Sequence, residues 1–355
     1  MQEKIRLMKG NEAIGEAAIR AGCTAYFGYP ITPQNELTAY MATEMLPKGR
    51  TFIQAESEVA AINMVFGAAS TGARAMTSSS SPGVSLKQEG ISYLAGADLP
   101  AVIVDVARSG PGLGGISPGQ GDYFQATRGG GHGDYYTIVL APKSVQESAD
   151  LTYEAFALAD KYRMPVLVLT DGLLGQMMEG VTFPEPIDPA SLPRKPWAVG
   201  HQERDGRGIN HVSSMNLDPP VLEKANLARF KHYETVKAEL CRYEEVQVED
   251  ADLVLVAYGI SARISLGVLQ EARRKGLKVG LFRPITLWPF PYKRIERLAD
   301  MGKRFMSLEL CMGQMVEDVR LAVNGKAPVD FYGRTGGMIP SEEEVLAYAE
   351  KLLGK

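Results

Sequence analysis

Short runs rich in Val, Ile and Ala alternate with longer segments of mixed apolar and polar residues over the first 180 residues of the chain. The apolar runs predict strands at 25–29, 51–55, 73–77, 101–107, 137–140 and 165–170. The segments between them predict helices at 11–21, 33–45, 57–69, 85–94 and 144–161, with Asn11, Ser57 and Ser144 as caps. Such alternation is typical of a mostly parallel sheet covered on both faces.

The pattern changes between Gly180 and Glu249. Five prolines lie within residues 184–196, an Arg-Asp-Gly-Arg-Gly run follows at 204–208, and only 221–240 has the pattern of a helix. Alternation then resumes, with strands predicted at 253–257, 278–283, 304–309 and 328–331 and helices at 261–275, 291–300, 314–323 and 341–353. The sequence therefore predicts an α/β protein with two parallel-sheet domains, 1–180 and 250–355, joined by a Pro-rich connector at 181–249 with one helix.

Composition and charge narrow the classes of protein that fit this pattern. The chain of 355 residues is 45% hydrophobic and 23% charged, with a net charge of −4. An acidic chain argues against a nucleic-acid partner, and no apolar run reaches the ~18 residues that a membrane helix needs. The three cysteines, Cys23, Cys241 and Cys311, form no C-x-x-C pair. They predict neither a zinc site nor an iron–sulfur cluster on this chain, and they favour a reducing, cytoplasmic compartment.

Ligands of open parallel sheets bind outside the carboxyl ends of the strands, so the turns at those ends hold the candidate site. In Tyr29-Pro-Ile-Thr-Pro33, Thr32 either caps the next helix or holds its hydroxyl rigidly toward a ligand. After the next predicted strand, Glu58 opens an apolar helix. Its carboxyl group either complements the helix dipole or, in apolar surroundings, keeps or shares a proton for catalysis.

Two more turns carry candidate residues. The small-residue run at 77–83, which includes Ser81, either lets a ligand approach the backbone or is simply a tight connection. Arg108 follows the strand at 101–107 directly, where a guanidinium group is placed for bidentate capture of a carboxylate.

Ten glycines follow Arg108 within residues 109–133. Part of this stretch matches the dinucleotide-binding fingerprint, but Pro118 stands where the fingerprint needs a helix to begin. An active-site cover or a subunit contact is the better interpretation. His132, near the end of the stretch, is either a loop hydrogen-bond partner or a general base.

Taken together, five ordered motifs resemble the α subunit of the 2-oxoacid:ferredoxin oxidoreductases. They are Tyr-Pro-Ile-Thr-Pro at 29–33, Glu-Ser-Glu at 56–58, Arg-Ser-Gly-Pro at 108–111, the strand at 166–171 and Leu-Phe-Arg-Pro-Ile-Thr-Leu-Trp-Pro-Phe-Pro at 281–291. Gly-Gly-Gly-His-Gly-Asp at 129–134 is most like the branched-chain (2-oxoisovalerate) members, with the 2-oxoglutarate members close behind. The resemblance implies a pyrimidine-binding domain for thiamine diphosphate followed by a domain like the carboxy-terminal domain of transketolases.

The resemblance also implies roles for individual residues. Glu58 matches the catalytic glutamate that hydrogen-bonds a ring nitrogen of the aminopyrimidine. Thr32 and Arg108 match the positions that hold the carboxylate and carbonyl oxygens of the substrate. Tyr29, Pro30 and Ser81 are expected to contact the cofactor, whereas Glu56 is expected to be structural.

The absence of one expected motif from this chain implies partner subunits. The Gly-Asp-Gly…Asn-Asn motif that binds magnesium and diphosphate is missing. The resemblance therefore places Mg²⁺ and the iron–sulfur clusters on partner subunits: a β subunit with the diphosphate-binding domain, a γ subunit and a ferredoxin-like δ subunit. It implies ferredoxin and coenzyme A as reaction partners, and neither a nucleic acid nor a membrane. The alternatives are a 2-oxoglutarate enzyme, a non-catalytic subunit of such a complex, and an NAD-dependent dehydrogenase based on the glycine match.

Overall fold

A computed structural model of the chain describes residues 5–200 and 210–354. The charged run predicted within the connector at 204–208 lies outside these residues. The strands in chain order are β1 (Arg6–Lys9), β2 (Ala25–Gly28), β3 (Thr51–Gln54), β4 (Ala75–Ser79), β5 (Ala101–Ala107), β6 (Ile138–Leu140), β7 (Pro165–Asp171), β8 (Met178–Val181), β9 (Tyr243–Val246), β10 (Leu253–Val256), β11 (Val279–Pro284), β12 (Thr286–Trp288), β13 (Arg304–Glu309) and β14 (Val329–Gly333).

The α-helices of the described residues alternate with these strands. They are α1 (Gly10–Arg20), α2 (Asn35–Met45), α3 (Glu58–Ser70), α4 (Ser81–Gly96), α5 (Tyr123–Arg128), α6 (Val145–Tyr162), α7 (Gly172–Gln176), α8 (Pro219–Leu240), α9 (Gly259–Arg274), α10 (Tyr292–Asp300), α11 (Met315–Val323) and α12 (Glu342–Leu352). Short 3₁₀ turns occur at Leu46–Lys48 and Pro189–Ser191.

The first sheet has seven strands in the order β12-β6-β7-β5-β4-β2-β3. All neighbours are parallel except β12, which runs antiparallel to β6. Every residue of the central strands β5 and β7 is buried, as expected for apolar strands with helices on both faces. The predicted parallel α/β class is therefore confirmed.

The second sheet has the order β14-β13-β10-β11-β9, parallel except for β9. Its core is an aliphatic cluster that includes Leu255, Leu281 and Leu308. β9 lies inside the segment for which the sequence predicted only one helix, and β8 pairs with β1 in a separate antiparallel ribbon. These short pairings escaped prediction because three or four residues leave too little periodicity to detect.

Three of the differences between predicted and observed helix starts move a candidate residue. α4 begins at Ser81, four residues before the predicted start, because Pro82 fits the first turn of a helix and does not break it. α2 begins at Asn35, so Thr32 does not cap it. α1 begins at Gly10, and Asn11 is not its cap; the Asn11 amide donates to the Pro33 carbonyl at 2.8 Å.

Charged and polar contacts join the two halves of the chain. β12 belongs to the second half in sequence but extends the first sheet. The buried Arg283 guanidinium pairs with Glu147 of α6 and Glu244 of β9. Next to the glycine-rich stretch at 109–133, the buried Asp318 carboxylate accepts hydrogen bonds from Tyr123, Arg128 and Tyr292. The glycine-rich stretch therefore contains a helix, α5, that is tied to α11 in the second half of the chain.

Candidate active site

The turns that follow β2, β3, β4 and β5 lie at one edge of the first sheet, because these four strands are parallel neighbours. The sequence predicted this grouping from the order of strands and helices. The edge brings together the motif at 29–33, the start of α3, the start of α4 and Arg108.

Glu58 is the first residue of α3. Ser57 caps this helix as predicted, its hydroxyl accepting from the Ala60 amide at 3.1 Å. The cap turns the Glu58 side chain inward, where only 6% of the residue is exposed. No described residue donates a hydrogen bond to the Glu58 carboxyl oxygens. A buried carboxyl group without a donor is costly unless a ligand or a proton satisfies it.

Close packing of α3 on α4 fixes the position of this carboxyl group. A Cβ added at Gly90 would lie 2.4 Å from Ile62 of α3, so the two helices approach at a glycine. Seven residues earlier on α4, a Cβ added at Gly83 would lie 2.7 Å from Glu58 Oε1 and 2.1 Å from Ser79 Oγ. The Glu58 carboxyl group therefore lies against the bare backbone of the first turn of α4.

Arg108 joins the turn after β5 to the turn after β2. Its guanidinium group donates to the Thr32 carbonyl and to the Leu113 carbonyl, each at 2.8 Å. Only 9% of the residue is exposed, and its buried Nε has no partner among the described residues. The Thr32 side chain is exposed and accepts from the Asn35 amide at 3.3 Å.

The Ser81 hydroxyl is engaged inside the protein. It accepts from the Arg108 amide at 2.9 Å, and it contacts the Asp122 carboxyl group and the Arg108 carbonyl. The Ser81 amide donates to Asp105 at 3.1 Å. These bonds fix the start of α4 against the end of β5. Contact of Ser81 with a cofactor stays a prediction.

The remaining predicted residues are half-buried or exposed. Tyr29 is half-buried, with its carbonyl accepting from Gln34, and Pro30 is exposed. Glu56 is exposed, and its structural role stays a prediction. His132 is exposed on the glycine-rich stretch.

Sequence reasoning missed two buried ionisable groups, Lys87 and Asp105, and the half-buried Asp122. Lys87 of α4 is fully buried, and its ammonium group donates to Thr77 Oγ1 at 2.7 Å and to the Ser78 carbonyl at 2.9 Å. Burial lowers the pKa of Lys87 to about 7, against the opposing effect of Glu58 and Asp105. Burial, then the neighbouring Asp122, raises the pKa of Asp105 well above its usual range, and burial also raises that of Asp122.

The sequence itself indicated that Lys87 is buried. Val84, Lys87 and Ile91 have the spacing of one buried helix face, so a lysine in that series is unusual. The run of serines at the end of β4 was a second signal. The hydroxyls of Ser79, Ser80 and Ser109 are buried without a partner among the described residues.

Large apolar side chains are exposed on the elements near Glu58, interspersed with exposed polar ones such as Glu56 and Asn63. Val59 and Met64 on α3 and Leu86 on α4 are exposed by 44%, 36% and 54%, and Ile53 on the edge strand β3 is also exposed. Within residues 5–200 and 210–354, no group of three or more His, Cys, Asp or Glu side chains is arranged to hold a metal ion. Nor does any helix of this part of the chain have the length and apolar content to cross a membrane.

Two family profiles together match most of the chain. "Pyruvate flavodoxin/ferredoxin oxidoreductase, thiamine diP-bdg" matches residues 16–253, and "Pyruvate:ferredoxin oxidoreductase core domain II" matches residues 251–345.

Relatives of known name match over nearly the full length. A ketoisovalerate oxidoreductase subunit VorB from Methanothermobacter thermautotrophicus is 53% identical, covering 98% of each chain. A 2-oxoglutarate synthase subunit KorA from Methanothermobacter marburgensis is 34% identical, again over 98% of both chains.

Solved structures share the fold. A 2-oxoglutarate:ferredoxin oxidoreductase from Magnetococcus marinus, with 2-oxoglutarate, coenzyme A and succinyl-CoA bound, superposes with a TM-score of 0.85 at 27% identity. The match covers 98% of this chain and 65% of that one. A split-gene transketolase shares the fold alone, at a TM-score of 0.57 and 13% identity. The first family profile covers two thirds of the sequence. The chain therefore belongs to the pyruvate flavodoxin/ferredoxin oxidoreductase family, the 2-oxoacid:ferredoxin oxidoreductases.

Proposed function

We propose that this chain is the α subunit of a thiamine-diphosphate-dependent enzyme that oxidatively decarboxylates a branched-chain 2-oxoacid, 2-oxoisovalerate, to acyl-CoA and CO₂ with reduction of ferredoxin. The observation that carries the proposal is the buried Glu58 carboxyl group, which no described residue satisfies. The relatives named as ketoisovalerate oxidoreductase subunits support the choice of substrate.

The residues around Glu58 fit an aminopyrimidine ring. The carboxyl group has free acceptor and proton-holding capacity, and Gly83 leaves the α4 backbone bare beside it. Thiamine diphosphate, when bound, supplies the electron sink that decarboxylation of a 2-oxoacid needs. Glu58 would hold a proton at a ring nitrogen, and Tyr29 and Pro30 at the rim would contact the cofactor. Ser81 would act by fixing the backbone that carries Arg108.

Arg108 and Thr32 would bind the substrate. The guanidinium group is positively charged, nearly buried and held in one orientation by two backbone carbonyls. Such a group is complementary to the carboxylate of a 2-oxoacid. The exposed Thr32 hydroxyl lies on the same pair of turns and would donate to the carbonyl or carboxylate oxygens.

A partner subunit would complete the site. Val59, Met64 and Leu86 expose apolar surface next to the buried Glu58, as expected of a surface that a second chain covers. We assign that surface to a β subunit that carries the diphosphate-binding domain, Mg²⁺ and the nearest iron–sulfur cluster. A γ subunit, a ferredoxin-like δ subunit, ferredoxin and coenzyme A would complete the reaction in the cytoplasm. The three cysteines of this chain are free, which suits a reducing compartment.

The experiment is co-expression of this chain with its partner subunits and anaerobic assay with a series of 2-oxoacids. We expect Glu58→Gln to lower turnover at least ~100-fold in an assembled complex, since proton transfer by a positioned group typically contributes that much. Glu56→Gln, an exposed carboxylate two residues away, is the matched control and should retain activity. Full activity of Glu58→Gln would reject the proposal and would also favour a non-catalytic role for the chain.

A 2-oxoglutarate substrate is the second candidate. It is favoured by the relatives named as 2-oxoglutarate synthase subunits and by the 2-oxoglutarate-bound structural neighbour. The same assay separates the two, because only one substrate will have the higher kcat/KM. We expect 2-oxoisovalerate to be preferred.

A further inference from the structure

Gln34 follows the turn at 29–33 directly and fastens its backbone. The side-chain amide of Gln34 donates to the Tyr29 carbonyl at 3.2 Å, and its backbone amide donates to the Ile31 carbonyl at 3.0 Å. Arg108 holds the same turn at its other end. Because residues 29–33 belong to no strand or helix, these bonds determine where the turn lies.

The position of Gln34 is unusual for a glutamine. It is the N-cap residue of α2, a position where Ser, Thr, Asp and Asn are preferred because their short side chains accept from the first helical amides. Gln34 makes no such cap bond, although the residue is fully buried. Its side chain bonds the turn instead of the helix, which indicates that its role concerns the turn.

A buried network of hydroxyl groups fixes the other end of the Gln34 amide. Its Oε1 accepts from the Ser78 hydroxyl at 2.6 Å and from the Thr38 hydroxyl at 3.1 Å. The Tyr26 hydroxyl contacts both of these hydroxyl oxygens, at 2.6 Å and 3.0 Å, and all four side chains are buried. Since the Tyr29 carbonyl can only accept, the Nε2 end of the amide must face it while the two hydroxyls hold the Oε1 end.

Ser78 connects this network to the rest of the candidate site. It belongs to β4, and the next residue, Ser79, lies against the same glycine of α4 as the Glu58 carboxyl group. Gln34 therefore joins the turn that carries Thr32 to the strand end that borders Glu58. A binding group held in this way by its supporting residues is in place before the ligand arrives.

We propose that Gln34 is a positioning residue: by holding the turn at 29–33 against the end of β4, it keeps the Thr32 hydroxyl where the substrate oxygens bind. This inference rests on the proposed function, in which Thr32 donates to those oxygens. The Thr32 hydroxyl accepts from the Asn35 amide at 3.3 Å, so its own proton is free for a ligand oxygen. Gln34 is fully buried and acts through the turn, which then needs no ordering when the substrate binds.

Gln34→Met is the direct test, because methionine fills a similar volume without an amide. In the assembled complex we expect the KM for the 2-oxoacid to rise about tenfold, the effect of one lost hydrogen bond, while kcat changes less than about twofold. The matched control is Gln146→Met on α6, outside the candidate site. It removes a half-buried glutamine amide that donates to the Thr182 carbonyl at 2.9 Å, and it should leave KM and kcat unchanged.

Combining Gln34→Met with Thr32→Val separates a positioning role from a merely structural one. If Gln34 acts through Thr32, then Thr32→Val raises KM by itself, and adding Gln34→Met raises it less than about twofold further. Independent effects would instead multiply. Multiplication of the two effects, or an unchanged KM in Gln34→Met, overturns the inference.

Ser78→Ala keeps the inference testable if Gln34→Met does not assemble. This variant removes the 2.6 Å bond to Gln34 Oε1 and leaves the glutamine in place. We expect a smaller rise in KM, about threefold, that disappears in the Thr32→Val background. An unchanged KM in assembled Ser78→Ala overturns the inference in that case.

The outcomes separate this inference from the proposed function. If Thr32→Val and Glu58→Gln behave as proposed but Gln34→Met leaves KM unchanged, only the inference fails. If Thr32→Val leaves KM unchanged, or if the assembled complex binds no thiamine diphosphate, the proposed function fails and the inference fails with it.

Discussion

The Arg108 guanidinium group donates a 2.8 Å hydrogen bond to the backbone carbonyl of Thr32. This bond connects the turn after β5 to the turn after β2, across the intervening strand β4. A second 2.8 Å bond to the Leu113 carbonyl ties the same guanidinium group to the glycine-rich stretch. One buried cation therefore holds three segments of the candidate site in register.

Arg108→Lys should raise the KM for the 2-oxoacid about 10- to 100-fold. A lysine keeps the charge but cannot span both carbonyls, and hydrogen bonds to a charged group are worth about 1.5–3 kcal/mol. Steady-state kinetics of the complex provide the measurement. Arg50→Lys is the control, since Arg50 also donates to two backbone carbonyls, those of Ile19 and Cys23, away from the site. An unchanged KM for Arg108→Lys would contradict the binding role.

Gly83→Ala should lower activity at least tenfold while the chain still folds. The added Cβ would lie 2.1 Å from Ser79 Oγ and 2.7 Å from Glu58 Oε1, so the carboxyl group must move. A displacement of this size at a catalytic group is enough for such a loss. The matched control is Gly67→Ala on α3, where nothing lies within 4 Å of the added carbon. It should keep activity and stabilise the helix by about 0.5–1 kcal/mol.

Asp171 should make the chain less stable as the pH rises from about 4 to about 6. Burial raises the pKa of Asp171 to about 6, although its carboxyl group caps α7 through the Leu173 and Leu174 amides. The folded state therefore keeps a proton that the unfolded state has already lost, and stability falls over this pH window. The loss amounts to as much as about 3 kcal/mol.

Asp171→Asn, which can still cap the helix, should remove this slope from the midpoint of thermal unfolding. Asp188→Asn is the control, because Asp188 is an exposed cap that accepts from the Ala190 amide at 3.0 Å. Equal pH slopes in the wild type and Asp171→Asn would show that this carboxyl group ionises normally.

Asp318→Asn should destabilise the contact between α5 and the second half of the chain by about 2–4 kcal/mol. The carboxylate is buried and accepts from Tyr123, Arg128 and Tyr292, so its neutral replacement weakens three bonds at once. Thermal unfolding of the purified chain measures the loss. Asp250→Asn breaks an exposed pair with Arg273 and should leave the melting temperature nearly unchanged. An equally small change in melting temperature for Asp318→Asn would show that this carboxylate does not hold the two parts of the chain together.

The sequence by itself determined the parallel α/β class, the order of most elements and the four turns that carry Glu58, Thr32, Ser81 and Arg108. These features are local: β-rich runs, a serine cap before an apolar helix, and the rule that parallel strands end at one edge. Family membership followed from the same motifs, because their order along the chain is itself sequence information.

Only the tertiary structure decided which polar groups are satisfied and which are not. The engagement of Ser81 with Asp122, the close approach of Gly83 to the Glu58 carboxyl group and the pairing of β12 with the first sheet each join residues that are distant in sequence. No periodicity encodes such contacts, since they depend on how closely α3 and α4 pack and on where the second half of the chain lies against the first sheet. The electrostatic environment of the Glu58 carboxyl group is therefore a property of the fold, whereas its presence at the start of α3 is a property of the sequence.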